Sequence, residues 1–156
     1  MKSKIPNLIV LLIFGIIGAL LSAGIFHYLE FLLGFSYVVL FSAGQAFILG
    51  GIIYAGIKLS KFDKKAVLMP LVLLFAFSSY ATTYYLGYEG TKDLIVSYGV
   101  AEYDINEDMA ESIVDSNYSV QEYLSEKIEK NAVWMIIELI IILLMTTRIS
   151  LAAVEK

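Results

Sequence analysis

The sequence predicts an all-α integral membrane protein: four transmembrane helices with a small helical extracytosolic cap. Three observations carry that prediction. Apolar residues make up 59% of the 156 and gather into four long blocks, whereas a soluble domain of this size stays near ~45–50% apolar. Charged residues bound each block. The carboxylates concentrate in one stretch, residues 89–131, which holds eleven Asp or Glu against three Lys.

Residues 5–26 carry no charge over 22 positions. A helix of that length spans about 33 Å, enough for a hydrocarbon layer ~30 Å thick. The run exceeds the apolar part of a secretory signal, ~7–15 residues, although Ser22 and Gly24 imitate a cleavage site. Gly15, Gly18, Ala19, Ser22 and Ala23 recur at spacings of three and four, a pattern that lets helix backbones approach closely in lipid. His27, Tyr28 and Glu30 then predict a tight turn at a membrane boundary.

Residues 31–57 form the second uncharged run, 27 positions long, so this span must tilt or protrude. Gly44, Gly50, Gly51 and Gly56 suggest a close-packed face. Gln45 sits near mid-depth, where a buried amide needs partners; interhelical bonding and ligand binding both meet that need. Lys58, Lys61, Asp63, Lys64 and Lys65 make a short basic loop. The third span covers residues 66–87, with Pro70 near its start, where a missing N–H costs little. Ser78, Ser79, Thr82 and Thr83 can bond back to their own helix or across to another. Tyr84, Tyr85 and Tyr88 suit an interfacial aromatic belt.

The acidic segment, net −8 over residues 89–131 from eleven acids and three lysines, predicts two short helices. Residues 91–103 place Leu94, Ile95 and Tyr98 on one face, and Ile105, Met109 and Ile113 recur at four-residue steps. Ser119 and Glu122 form a capping box. With no Gly or Pro after it, one continuous helix is expected from about Val120 to beyond Arg148. The fourth span, residues 132–150, is short. Its 16 positions from Ala132 to Thr147 cover about 24 Å, and snorkelling of Arg148 extends it.

Lys and Arg set the orientation. One side of a four-span chain would hold eight of them and the other, with Lys92, Lys127 and Lys130, three. Both termini are therefore expected in the cytoplasm of a cell-membrane protein, with residues 89–131 outside.

Chemistry is sparse. There is no cysteine and one histidine, His27, which removes disulfides, thiolate ligands and Cys nucleophiles and argues against zinc. Metalloprotease, nucleophile-elbow, Walker and dinucleotide-binding motifs are absent, so neither an enzyme nor a cofactor is expected. The basic loop is too short and mixed for nucleic acid. Glu138 is a carboxylate inside the fourth span, and such groups face the bundle interior. With Ser78, Ser79, Thr82, Thr83 and Gln45 it makes a candidate proton or cation site; a protonated Glu bonded to a hydroxyl is the structural alternative. Asp104, Asn106, Asp108 and Asp115 partly follow a calcium loop, but Met109 stands where the turn needs Gly.

A small first outer loop and a larger outer segment before the fourth span make the layout similar to tetraspanins in topology only. The Cys-Cys-Gly motif of that family is absent. The functional expectation is a non-enzymatic accessory or interaction subunit, working through its acidic cap and Gly/Ala-rich helix faces. The alternative is an oligomeric channel or small transporter using Glu138 and the Ser/Thr patch. The expected partners are the lipid bilayer and either further copies of this chain or a different membrane protein.

Overall fold

The structure, a computed structural model, describes residues 5–33 and 38–155. Within them lie five helices: α1 (Ile5–Leu33), α2 (Val38–Ser60), α3 (Lys65–Tyr103), α4 (Glu107–Asn117) and α5 (Val120–Leu151). All but α4 are long and apolar enough to cross a membrane. Contacts divide the chain into two compact units, Met1–Thr83 with Trp134–Lys156 and, separately, Tyr84–Val133.

The first unit is built on α1, α2, the first half of α3 and the second half of α5. Its core joins Leu11, Leu49, Ile53, Leu68, Val72, Phe75 and Ile142. Glycines set the spacing of these helices. A Cβ on Gly15 would collide with the Phe75 ring, one on Gly50 would lie 2.9 Å from Ile149 Cβ, and one on Gly56 would lie 2.6 Å from Phe14 Cβ. Most of the small-residue face expected to meet a partner is thus used within the chain. Gly24 and Gly51 are the exceptions, with open space around them. Outward positions such as Ile16, Leu20, Phe47, Leu74, Ile136 and Leu144 are large, apolar and exposed, a surface compatible with a multi-pass membrane protein.

Two expected breaks are absent. The turn placed at His27, Tyr28 and Glu30 is helical, and α1 continues to Leu33. No Gly or Pro interrupts residues 27–33, and a single charge does not end a helix. The second helix accordingly begins at Val38 rather than at 31, and residues 34–37 lie outside the described residues. Likewise α3 does not end near 87 and restart at 91. It is one helix of 39 residues, about 58 Å long. Gly87 serves packing there, not termination: a Cβ on it would lie 2.5 Å from Tyr123 Oη.

Left-handed residues close two helices. Lys61 (φ 52°) follows α2 and Asp104 (φ 50°) follows α3, positions where glycine is the usual choice. In the second unit α4 starts on Asn106, whose side chain accepts a bond from Met109 N–H at 2.8 Å. Its inward face differs from the expected one. Ala110 and Val114 are buried, while Met109 and Ile113 are 56% and 49% exposed. Size explains the rotation: small Ala110 comes against Gly99, where an added Cβ would lie 3.7 Å from Ala110 Cβ.

The capping box forms as expected. Glu122 N–H donates to Ser119 Oγ at 3.2 Å and Ser119 N–H donates to Glu122 Oε2 at 2.8 Å. The helix that follows runs Val120–Leu151 but is not continuous, because Asn131 (φ −137°, ψ 18°) leaves the helical region. Asn side chains compete for backbone hydrogen bonds, which makes them weak points in helices.

Candidate functional site

Four polar side chains from three helices meet inside the first unit. Gln45 of α2 donates from Nε2 to Ser79 Oγ at 2.8 Å and to Thr83 Oγ1 at 2.9 Å, both on α3. Ser79 Oγ lies 2.8 Å from Ser22 Oγ of α1. Ser22 donates its own hydrogen to Ala19 O at 3.3 Å, so Ser79 is the donor between the two hydroxyls. Thr83 donates to Ser79 O at 3.1 Å. Ser22, Gln45 and Ser79 are all buried.

Every hydrogen in this cluster therefore has a destination. The two amide hydrogens of Gln45 go to hydroxyls, and both chains end on backbone carbonyls. A buried amide that loses its partners costs about 1–3 kcal/mol, so the network ties α1, α2 and α3 to one register. It gathers three of the six expected site residues, Gln45, Ser79 and Thr83. Ser22, read from the sequence as a small spacer, completes it; its hydroxyl was the available signal.

The other three are placed differently. Thr82 bonds back to Ser78 O at 2.8 Å, the usual use of a helical threonine. Ser78 is half-buried, and its carbonyl accepts that bond. Glu138 is half-buried on α5 and engaged in an interaction. It lies three residues past Met135, whose carbonyl accepts a bond from Tyr80 Oη at 2.9 Å. That bond, which ties α3 to α5, had no sequence signal beyond a tyrosine within a span.

A second polar group sits on α5. Thr146 and Ser150 are fully buried, and the hydroxyls of Thr146, Thr147 and Ser150 have no hydrogen-bond partner among the described residues. Thr82, Thr83, Thr91 and Ser97 all bond back to a carbonyl four residues earlier; these three do not.

In the second unit two of the four calcium-loop residues, Asn106 and Asp115, have partners within the chain. Asn106 caps α4. Asp115 pairs with Lys92 at 2.6 Å, and Glu111 stands 3.7 Å from the same ammonium. Among the described residues no group of three or more His, Asp or Glu converges as metal ligands. The Asp115 hydrogen bond raises the Lys92 pKa above its ordinary 10.5. Lys130 bonds Glu126 at 2.6 Å and holds that carboxyl below its ordinary 4.5. Lys127 lies 5.3 Å over the Tyr123 ring, a cation–π contact. Tyr88 is the centre of the apolar packing: it stacks on Tyr118 at 5.7 Å, meets Tyr123 edge-on at 6.0 Å and donates to Tyr118 O at 3.2 Å. Burial raises the Tyr118 phenol above its ordinary 10.0.

His27, the single histidine, sits half-buried on α1 between Phe26 and exposed Tyr28. No protein-family model, no curated protein and no solved structure matches this chain.

Proposed function

We propose that this chain is a non-enzymatic accessory subunit of a membrane complex. In this reading α1, α2, the part of α3 up to residue 87 and the part of α5 from residue 132 lie in a cell membrane, both termini are cytoplasmic, and residues 89–131 face outward. One observation carries it: the hydrogen-bonded cluster around Gln45 is complete. Both amide hydrogens of Gln45 and the hydroxyls of Ser22, Ser79 and Thr83 are bonded to each other or to backbone. Polar groups so engaged join helices instead of presenting themselves to a passing solute. Most of the glycine faces are likewise filled, by residues such as Phe75, Ile149 and Phe14, with Gly24 and Gly51 left open. What remains to meet a partner is the acidic second unit.

The test is the composition of the native assembly. The protein, solubilised in mild detergent from the membranes in which it is normally made, should run as a complex with a different polypeptide at fixed ratio. A ring of identical chains that conducts ions in planar bilayers would refute the accessory role. Orientation is checked on the cysteine-free background by Tyr103→Cys, since Tyr103 is 75% exposed. A membrane-impermeant maleimide should label it in intact cells.

A second reading rests on Glu138, a carboxylate within an apolar helix. In a cation or proton transporter it would be the group that exchanges its charge. Ion or proton flux into proteoliposomes that is abolished by Glu138→Gln would favour this reading. Equal flux in both forms would end it.

A further inference from the structure

We infer that the outward face of α3 at Leu94, Ile95 and Tyr98 docks a basic amphipathic segment of a partner protein. The inference rests on the accessory reading and gives its partner a chemistry. Its first support is the bare face. Leu94, Ile95 and Tyr98 are 50%, 40% and 68% exposed, and Leu94 and Tyr98 stand one helical turn apart. The contacts that α3 makes within the second unit use other positions. Gly87 and Tyr88 meet Tyr123, Lys92 meets α4 through Asp115 and Glu111, and Gly99 meets Ala110. The Leu94–Tyr98 face stays exposed beside these contacts. A charged, water-facing segment gains nothing from three large apolar side chains on one helical face unless something packs there.

Its second support is the fate of charge. Each lysine of residues 84–133 is already committed: Lys92 to Asp115 and Glu111, Lys130 to Glu126, Lys127 to the Tyr123 ring. Of the eleven carboxylates, Glu89, Asp93, Glu102, Asp104, Glu107, Asp108, Glu122 and Glu129 have no such ion pair among the described residues. Asp93 directly precedes Leu94, and Glu102 follows Tyr98 by one turn on the same helix. An apolar face within an unneutralised acidic surface fits a segment that offers apolar side chains along one stripe and Lys or Arg beside it. A second copy of this unit would bring the same negative charge, and like charges across an interface are strongly disfavoured. The same carboxylates oppose contact with anionic lipid headgroups.

The test uses the full-length protein in nanodiscs of neutral lipid. The probe is a synthetic helical peptide of alternating leucine and lysine faces, with binding to empty nanodiscs subtracted. Two controls share its length: a Lys/Ser peptide of equal charge without an apolar face, and a Leu/Glu peptide. We expect the Leu/Lys peptide to bind at least tenfold more tightly than either control. Its affinity should fall at least tenfold in Leu94→Ser/Tyr98→Ser, and less steeply in Asp93→Asn/Glu102→Gln with a shallower salt dependence. Because those side chains are exposed, the variants should fold, and unchanged maleimide labelling of Tyr103→Cys in the same background checks it.

Equal binding of the Lys/Ser peptide, or no effect of Leu94→Ser/Tyr98→Ser, would reduce the effect to unspecific attraction and overturn the inference. So would absence of binding. A native partner that co-purifies equally with wild type and Leu94→Ser/Tyr98→Ser would overturn this inference while leaving the accessory role standing. Absence of any partner, with a conducting ring of identical chains, would remove that role itself.

Discussion

Gln45 Nε2 and Ser79 Oγ lie 2.8 Å apart, between α2 and α3, both side chains buried. The amide is the only group in the cluster that donates twice, to Ser79 and to Thr83. Replacing it with Leu keeps the volume and removes both donors. Gln45→Leu is expected to cost about 1–2 kcal/mol, read as a lower midpoint of unfolding in detergent. Gln45→Asn, too short to reach both hydroxyls, should recover less than half of that loss.

Two glycines should respond in opposite ways to the same change. Gly15→Ala drives a methyl into the Phe75 ring of the buried core and should destabilise by about 1–3 kcal/mol. Gly51 has nothing within 4 Å of an added Cβ, so Gly51→Ala should stabilise α2 by up to about 1 kcal/mol. Loss of stability in Gly51→Ala would mean that another helix occupies that face.

The hydroxyls of α5 predict a gain on removal. Thr146 is fully buried and its hydroxyl has no partner among the described residues. Thr146→Val conserves shape and deletes the desolvated oxygen, so it should raise stability by about 1 kcal/mol. Thr83→Val, which breaks a bond from Gln45 and one to Ser79 O, should lower it by a similar amount.

The second unit should hold its ion pairs across a defined pH window. Glu126 has its pKa lowered from 4.5, first by its hydrogen bond to Lys130. Its contribution is therefore complete above 4.5 and fades as pH falls through the lower folded-state value. Lys92 has its pKa raised from 10.5, first by its hydrogen bond to Asp115. That contribution is complete below 10.5 and fades as pH rises through the higher folded-state value. Hydrogen exchange of α4 amides should accelerate on the alkaline side in wild type. In Lys92→Met it should already be fast at neutral pH.

Ser119→Ala removes the oxygen that receives Glu122 N–H. It should cost about 1 kcal/mol and show first as faster exchange in the opening turn of α5. Ser119→Asp, an alternative cap, should retain most of the protection.

The elements legible in the sequence were those written in local chemistry. The capping box of Ser119 and Glu122 and the four apolar runs each depend on residues a few positions apart. Helix ends marked only by charge were misread. Glu30 does not end α1, and α3 runs on into the acidic segment, where Gly87 makes room for the distant ring of Tyr123. The inward face of α4 was misread for a similar reason. Periodicity favoured Met109 and Ile113, but contact with Gly99 selected Ala110, the smaller side chain. Of the candidate site, Gln45, Ser79 and Thr83 were visible as polar residues at an apolar depth. Their joining with Ser22 depends on helix rotation, which no single sequence displays.

The bond order within the Ser22–Ser79–Gln45–Thr83 cluster has a consequence for proton traffic. Water-like conduction along hydroxyls requires each link to receive a proton from one neighbour, release one to the next, and then turn back. Here both lines start at an amide, which does not give up its hydrogens at physiological pH, and finish at the carbonyls of Ala19 and Ser79. The arrangement has a source that cannot be emptied and sinks that cannot be refilled. If protons cross this bundle, their route runs past some other set of atoms.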